Sequence, residues 1–193
     1  MSQNLLEGTL KIASLPSGSD FFLIDTLIRF QKKYPHVNVE IIEGTTNEVN
    51  QMVANHTVEF GLSIVPAGDF QNVTLMKDYI VAISNKPLET ETVNLESTKQ
   101  VFFVCQAALE SILPVLEERR IKKNLHVKVV SPQTVRKIAA CGVGIGLQAN
   151  SLLLNETNYF YKYPVEPLIQ TDLILIANDF SDLSPAARTF IEM

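Results

Sequence analysis

The sequence predicts an α/β protein of two lobes. Three observations carry that expectation. Apolar strand-like runs alternate with helix-spaced apolar stripes from the first residues to about residue 66, and the alternation starts again near residue 100. Between the two blocks lies a polar passage, "TETVNLEST" at 90–98, with no core pattern, which reads as the connection between lobes. Hydrophobic residues make up 46% and charged residues 19% of 193, enough to give one or two compact lobes a sizeable core. Strands alternating with helices imply right-handed crossovers and parallel sheets.

The elements follow in order. "GTLKIASL" reads as a strand, and "SGSDFFLIDTLIRFQKKYP" as a helix whose Leu23, Leu27, Phe30 and Tyr34 make one apolar stripe before Pro35 stops it. "HVNVEIIEG" alternates Val37, Val39 and Ile41 as a strand does. "TTNEVNQMVANH" is a helix with Val49, Met52 and Val53 inward, and "EFGLSIVP" a third strand. "VTLMKDYIVAISNKP" gives two extended stretches around a turn near Lys77 and Asp78. Past the polar passage come the strand "QVFFVCQ" and the helix "ALESILPVLEERR", with Leu109, Ile112, Leu113 and Leu116 on one face and Pro114 expected to kink it. "HVKVV", "SPQTVRKIAAC" and "GIGLQA" read as strand, helix and strand. "YFYKYPVEP" leads to the strand "DLILIAN", and "SPAARTFIEM" closes the chain as a helix.

The three alternate glycines of "CGVGIG", 141–146, raise the question of a phosphate loop. Such a loop runs strand, glycines, helix, and aims free helix N–H groups at phosphate. Here the helix comes first, so its carbonyl end would face the ligand, and no lysine follows. Gly142 falls where a helix C-cap glycine belongs, and Gly144 and Gly146 allow close backbone packing.

The helix starts say more about function. Ser17 precedes Asp20 by three residues and Thr45 precedes Glu48 by three, both at capping-box spacing. Ser131 is the expected cap of a third helix, with Pro132 in its first position, and Cys105 and Gln106 stand between a strand and a fourth helix. In open parallel sheets these junctions lie at the carboxyl ends of strands, where ligands bind. Hydroxyls and free N–H groups gathered there suit a small anion or polar metabolite. Serine and threonine also cap helices where no ligand binds, and either reading fits each residue alone.

Other functions lack support. The net charge is −5, and the densest basic stretch, "EERRIKKN" at 117–124, is diluted by glutamates and reads as a solvated helix end, so this chain alone is not expected to grip DNA. His36, His56 and His126 have no metal-ligand spacing. No paired-carboxylate, GxSxG or HExxH pattern points to an enzyme, and neither cofactor nor metal is expected. Cys105 reads either as a small buried hydrophobe or as a redox-sensing thiol. The N-terminus lacks the features of a signal peptide, and no apolar run reaches the roughly 20 residues of a membrane helix, so a cytoplasmic location without membrane contact is expected.

The chain resembles the effector-binding domain of LysR-type transcriptional regulators over nearly its whole length. The run "LIRFQKKYPHVNVEIIEGTTNEV" is the most specific stretch, supported by "GTLKIASLPS", "IAACGVGIGLQA" and "LSPAARTFIEM". The resemblance implies two Rossmann-like subdomains of the periplasmic-binding-protein type II kind, joined by two crossover strands, with an effector in the cleft. The expected boundaries are 1–86 plus 163–193 for the first subdomain and 87–162 for the second. The implied ligand contacts are Ser17, Gly18, Thr45 and Thr46 in the first, and Cys105, Gln106, Ser131 and Gln133 in the second. It further implies homodimers built on the helices 21–34 and 109–120, tetramers in the full-length regulator, and DNA binding only through a winged helix-turn-helix that would precede Met1.

The chain departs from the family pattern at three places. His56-Thr57-Val58-Glu59 replaces the usual Gly-x-x-Asp and implies a different turn. Gln148 and Ala149 stand where the glycine segment usually runs on to proline, which changes the cleft wall. No lysine or arginine occupies the first-lobe turns. Two rival readings share the architecture: a solute-binding protein of a transporter, and a small enzyme with Cys105 as nucleophile.

Overall fold

A computed structural model describes residues 6–64, 68–97, 102–122, 125–153 and 160–193. The side chains of Asp20, Phe21, His126 and Val127 and the expected strand ends at 65–66 and 100–101 lie outside the described residues. The chain divides into two compact units. One comprises Met1–Leu75 and Leu173–Met193, the other Met76–Asp172.

The first unit is built on a five-stranded sheet of order β2-β1-β3-β11-β4. Strand β1 (Gly8–Ser14) leads into a helical segment in three parts: α1 (Pro16–Gly18), a π-helical stretch (Ser19–Leu23) and α2 (Ile24–Lys33). Leu23 and Phe30 of the expected stripe are buried. The helix stops at Tyr34, one residue before Pro35, as proline disfavours helical backbone in the residue before it. Strand β2 (Val37–Glu43) pairs parallel with β1, then α3 (Thr46–Ala54) returns the chain to β3 (Phe60–Ser63), parallel to β1 on its other side. Strand β4 (Gln71–Met76) leaves the unit, and β11 (Leu173–Ala177) re-enters it antiparallel to β3 before α6 (Pro185–Ile191). Phe30, Phe60 and Phe190 join α2, β3 and α6, with ring centroids 5.2 and 6.0 Å apart. Truncating one such buried ring to alanine costs about 3–5 kcal/mol.

The turn after α3 places His56 at φ +53°, in the left-handed region that glycine enters without strain. Glu59 holds the closing helix: the Ser184 N–H and hydroxyl donate to its two carboxylate oxygens at 2.8 and 3.0 Å, while Ser184 Oγ caps α6 by accepting from Ala187 N–H.

The second unit carries a six-stranded sheet of order β6-β10-β5-β9-β7-β8. It contains β5 (Ile80–Ser84), β6 (Val93–Asn94), β7 (Phe102–Cys105), α4 (Gln106–Glu118), β8 (Leu125–Val129), α5 (Pro132–Ala140), β9 (Ile145–Ala149) and β10 (Tyr161–Glu166). Strands β7, β8 and β9 are mutually parallel, whereas β5 runs antiparallel to both β9 and β10. The expectation of purely parallel sheets is therefore corrected in both units. A helix follows β1, β2, β7 and β8, whereas β4–β5 and β10–β11 are extended connections that enter from the opposite direction.

The boundaries also move. Stretch 90–98 is not the passage between lobes, because Val93 and Leu95 are buried in the second unit's core and β6 pairs with β10. The chain crosses instead near 75–76 and 172–173. Residues 76–86 and 163–172, expected in the first subdomain, belong to the second unit because β5 and β10 pair with each other and β5 with β9. Asp78 ties the two crossings together: its N–H donates to Asp172 Oδ1 at 3.0 Å, its carbonyl accepts from Thr171 N–H, and its buried carboxylate accepts from the Tyr79 and Ser151 N–H groups.

Helix α4 passes unbroken through Pro114, which lies on its exposed side. Helix α5 ends as the glycine argument requires. Gly142 has φ +71°, its N–H donates to Ala139 O at 2.9 Å, and Asn85 Nδ2 donates to Ala140 O at 3.0 Å. Gly146 is pressed against neighbours: a Cβ there would lie 2.8 Å from Ile83 Cγ1 and 2.9 Å from Val135 Cγ1.

Candidate functional site

In each unit the parallel strands deliver candidate residues to one sheet edge. In the first, β1 and β2 end side by side, with Ser14 level with Glu43 and Gly44 N–H donating to Ser14 O at 3.0 Å. Ser17 and Gly18 follow β1 and Thr45 and Thr46 follow β2, so all four lie at the carboxyl edge of this sheet.

The two expected capping boxes fare differently. Ser17 does not cap a helix. Helix α1 begins at Pro16 with Leu15 in the capping position, so the pairing of Ser17 with Asp20 is not the start signal. Proline's fixed φ makes it a natural first helical residue, and this sets the start one residue earlier. Ser17 is half-buried within α1. Gly18 is buried, and a Cβ there would come within 2.8 Å of Ser14 Oγ and 3.3 Å of Leu62 Cβ.

Thr45 does form a capping box. Its Oγ1 accepts from Glu48 N–H at 3.4 Å and donates to Glu48 Oε2 at 2.9 Å, and its N–H donates to Glu48 Oε2 at 2.7 Å. These bonds, from the Thr45 backbone first and its hydroxyl second, hold the exposed Glu48 carboxyl below its ordinary value. Thr45 has thus spent its hydroxyl on the helix. Thr46 has not: it is 3% exposed, and its Oγ1 is a buried oxygen with no hydrogen-bond partner.

In the second unit β7 and β8 run parallel, so Cys105, Gln106, Ser131 and Gln133 share that sheet's carboxyl edge. Cys105 occupies the capping position of α4 without a side-chain capping bond. Burial pushes its thiol up, opposed by the N–H groups of Ala108, Cys105 and Ala107, with the Glu110 charge adding to the rise. A buried thiol held protonated is a poor nucleophile. Gln106 Nε2 donates to Glu110 Oε1 at 2.9 Å, which leaves the buried Glu110 Oε2 without a partner. Ser131 caps α5, accepting from Gln133 N–H at 3.2 Å and donating to Gln133 Oε1.

One further residue, which the sequence marks only as a departure from the family pattern, is buried without a partner. Gln148 on β9 is 0% exposed, and neither its Oε1 nor its Nε2 has a hydrogen-bond partner. The signal was a lone amide closing the apolar run "GIGLQA". The first unit also holds a cavity of about 310 Å³, lined by Leu23, Phe60, Leu62, Leu175 and Phe190 among others, with Arg29 the cationic group. None of the candidate residues lines it. Among the described residues, no group of three or more His, Cys, Asp or Glu could hold a metal ion, and no helix is long and apolar enough to cross a membrane.

Residues 3–193 match the family described as the LysR substrate binding domain. The uncharacterized HTH-type transcriptional regulator YoaU of Bacillus subtilis is 27% identical over 194 residues, covering 98% of this chain and 67% of that protein. The chain spans about two thirds of the length of this relative. Among solved structures, the regulatory domain of Synechocystis CcmR in complex with 2-PG aligns with a TM-score of 0.85 at 15% identity, covering 96% of this chain and 95% of that one. The effector binding domain of QuiR in complex with shikimate aligns with a TM-score of 0.80 at 16% identity, covering 97% and 95%.

Proposed function

The chain belongs to the LysR substrate-binding domain family, and from that premise we propose that it senses a small polar or anionic metabolite for a cytoplasmic transcriptional regulator. The observation that carries this reading is the pair of carboxyl edges. Each ends its parallel strands on helix starts, and the first presents the buried, unpartnered Thr46 hydroxyl. A buried hydroxyl without a partner costs about 1–3 kcal/mol, a cost that a ligand oxygen or nitrogen at this edge removes. The contacts are Ser17, Gly18, Thr45 and Thr46 in the first unit and Cys105, Gln106, Ser131 and Gln133 in the second. No lysine or arginine stands in the first-unit turns, so an anion there relies on hydroxyls and helix N–H groups. The relatives' names support the regulatory role, and the ligands named for CcmR and QuiR, 2-PG and shikimate, support the metabolite class.

The effector acts by binding one arrangement of a dimer more tightly than another, which biases the attached DNA reader. Helices α2 and α4 are the proposed dimer contacts. Ile24 and Ile28, 43% and 48% exposed on α2, give that helix an apolar outer face.

The test is a thermal-shift screen of organic acids, amino acids and inorganic anions. A compound at 100 times its Kd adds about 2.7 kcal/mol of stability. Thr46→Val and Ser17→Ala are expected to weaken the response to any hit at least ten-fold. Unchanged binding in both variants refutes the assignment of the first-unit edge.

A further inference from the structure

Gln148 lies inside the second unit at a position that its backbone register defines. β9 pairs with β7 so that Phe103 is level with Gly146 and Val104 with Leu147. One step further along the same register brings Cys105 level with Gln148. On its other side, β9 sets Gln148 opposite Val81 of β5. Gly146 faces α5, because its missing Cβ would touch Val135. Side chains two apart on a strand share a face, so Gln148 faces α5 as well.

The level along α5 follows from geometry. Two strand residues advance about 6.6 Å and four helical residues about 6 Å. Helix α5 runs from the carboxyl edge back along the sheet, since it joins parallel strands β8 and β9 that both flank β7. Moving from Gly146 to Gln148 along β9 therefore corresponds to moving from Val135 to Ser131 along α5. This register puts Gln148 level with the first turn of this nine-residue helix and with Cys105 of β7. An amide that is 0% exposed and unpartnered at both atoms is costly to keep. An apolar residue, which the sequence pattern favours at this position, would remove the cost.

We propose that Gln148 is a recognition residue that takes a carboxylate bearing a hydrogen-bond donor on the neighbouring carbon, that is, an α-hydroxy or α-amino acid. The inference rests on the sensing function proposed above and narrows its ligand class. Nε2 can only donate and Oε1 can only accept, so the partner must offer an acceptor and a donor side by side. The positive end of the α5 dipole selects an anion as the acceptor. The α-hydroxyl or α-ammonium group supplies the donor to Oε1. A plain carboxylate leaves Oε1 unpaired, and an alcohol forgoes the helix dipole.

The test uses matched trios that differ only at the α-carbon: propionate, lactate and alanine; succinate, malate and aspartate; phenylpropionate, phenyllactate and phenylalanine. Binding to the wild-type chain and to Gln148→Leu is measured by calorimetry, with Gln148→Met as a second apolar variant should the first fail to fold. In at least one trio, the hydroxy or amino acid is expected to bind ten-fold or more tightly than the plain acid. The apolar variant should bring that ratio close to one while melting at or above the wild type. A ratio that survives the substitution overturns the proposal and leaves an internal water as the partner of Gln148. If another metabolite binds and no member of a trio does, the role of Gln148 falls and the sensing function stands. If nothing binds in either screen, both fall.

Discussion

Replacing Gly142 by alanine should destabilise the second unit by about 1–3 kcal/mol. A Cβ on left-handed backbone costs about 1–2 kcal/mol, and Gly142 has φ +71°. The new methyl would also lie 2.8 Å from Asn85 Nδ2, the group that donates to the last carbonyl of α5, Ala140 O, at 3.0 Å. Displacing that amide forfeits a hydrogen bond worth roughly 0.5–1.5 kcal/mol. Against both, alanine reduces the freedom of the unfolded chain, a gain of about 0.4–1 kcal/mol. At roughly 2–4 °C per kcal/mol for a chain of this size, the expected fall in Tm is about 2–12 °C, read on the second unit's transition if the two units melt apart. Urea unfolding of the wild type, Gly142→Ala, Asn85→Ala and the double variant separates the contributions. With Asn85 already truncated, the methyl has nothing to displace, so the double variant should be less destabilised than the sum of the singles by roughly 0.5–1.5 kcal/mol. A Gly142→Ala protein within about 0.3 kcal/mol of wild type, or strict additivity, refutes this account of the glycine segment.

Other outcomes follow from the same structure. Glu48 titrates below its ordinary 4.5 when folded, so its contribution to stability is present above that value and is lost as pH falls through the lower folded value. The stability difference between wild type and Glu48→Gln should therefore shrink on going from pH 6 to pH 3 in denaturant titrations. A difference that grows on acidification contradicts the capping box. His56→Gly should raise the melting temperature of the first unit, because φ +53° suits glycine and disfavours a side chain; a fall would show that the hydrogen bond between Asn178 Nδ2 and the His56 ring, 3.2 Å long, outweighs the strain. Iodoacetamide should label the exposed Cys141 in the folded protein well before the buried Cys105, as peptide mass spectrometry can follow. Equal rates would mean that the Cys105 thiol is neither buried nor held protonated.

The sequence alone determined the elements whose causes are local. The stripe of Leu23 and Phe30, the stop before Pro35, the Thr45–Glu48 box, Ser131 with Pro132 and the glycine end of α5 each depend on residues within one or two turns of each other. Their spacing could be read directly, and with it the family. Strand partners depend on residues far apart in the chain, and local pattern carries no record of them. Nothing in "TETVNLEST" shows that Val93 is covered by β10, some seventy residues later, or that β5 turns antiparallel to β9 and so moves into the second unit. The candidate site divides along the same line. Which junctions would gather at the carboxyl edges was legible from strand–helix order. Which hydroxyl is already committed, Thr45 or Thr46, and that the Gln148 amide is left without a partner, depended on burial and hydrogen-bond geometry that only the packed tertiary structure supplies.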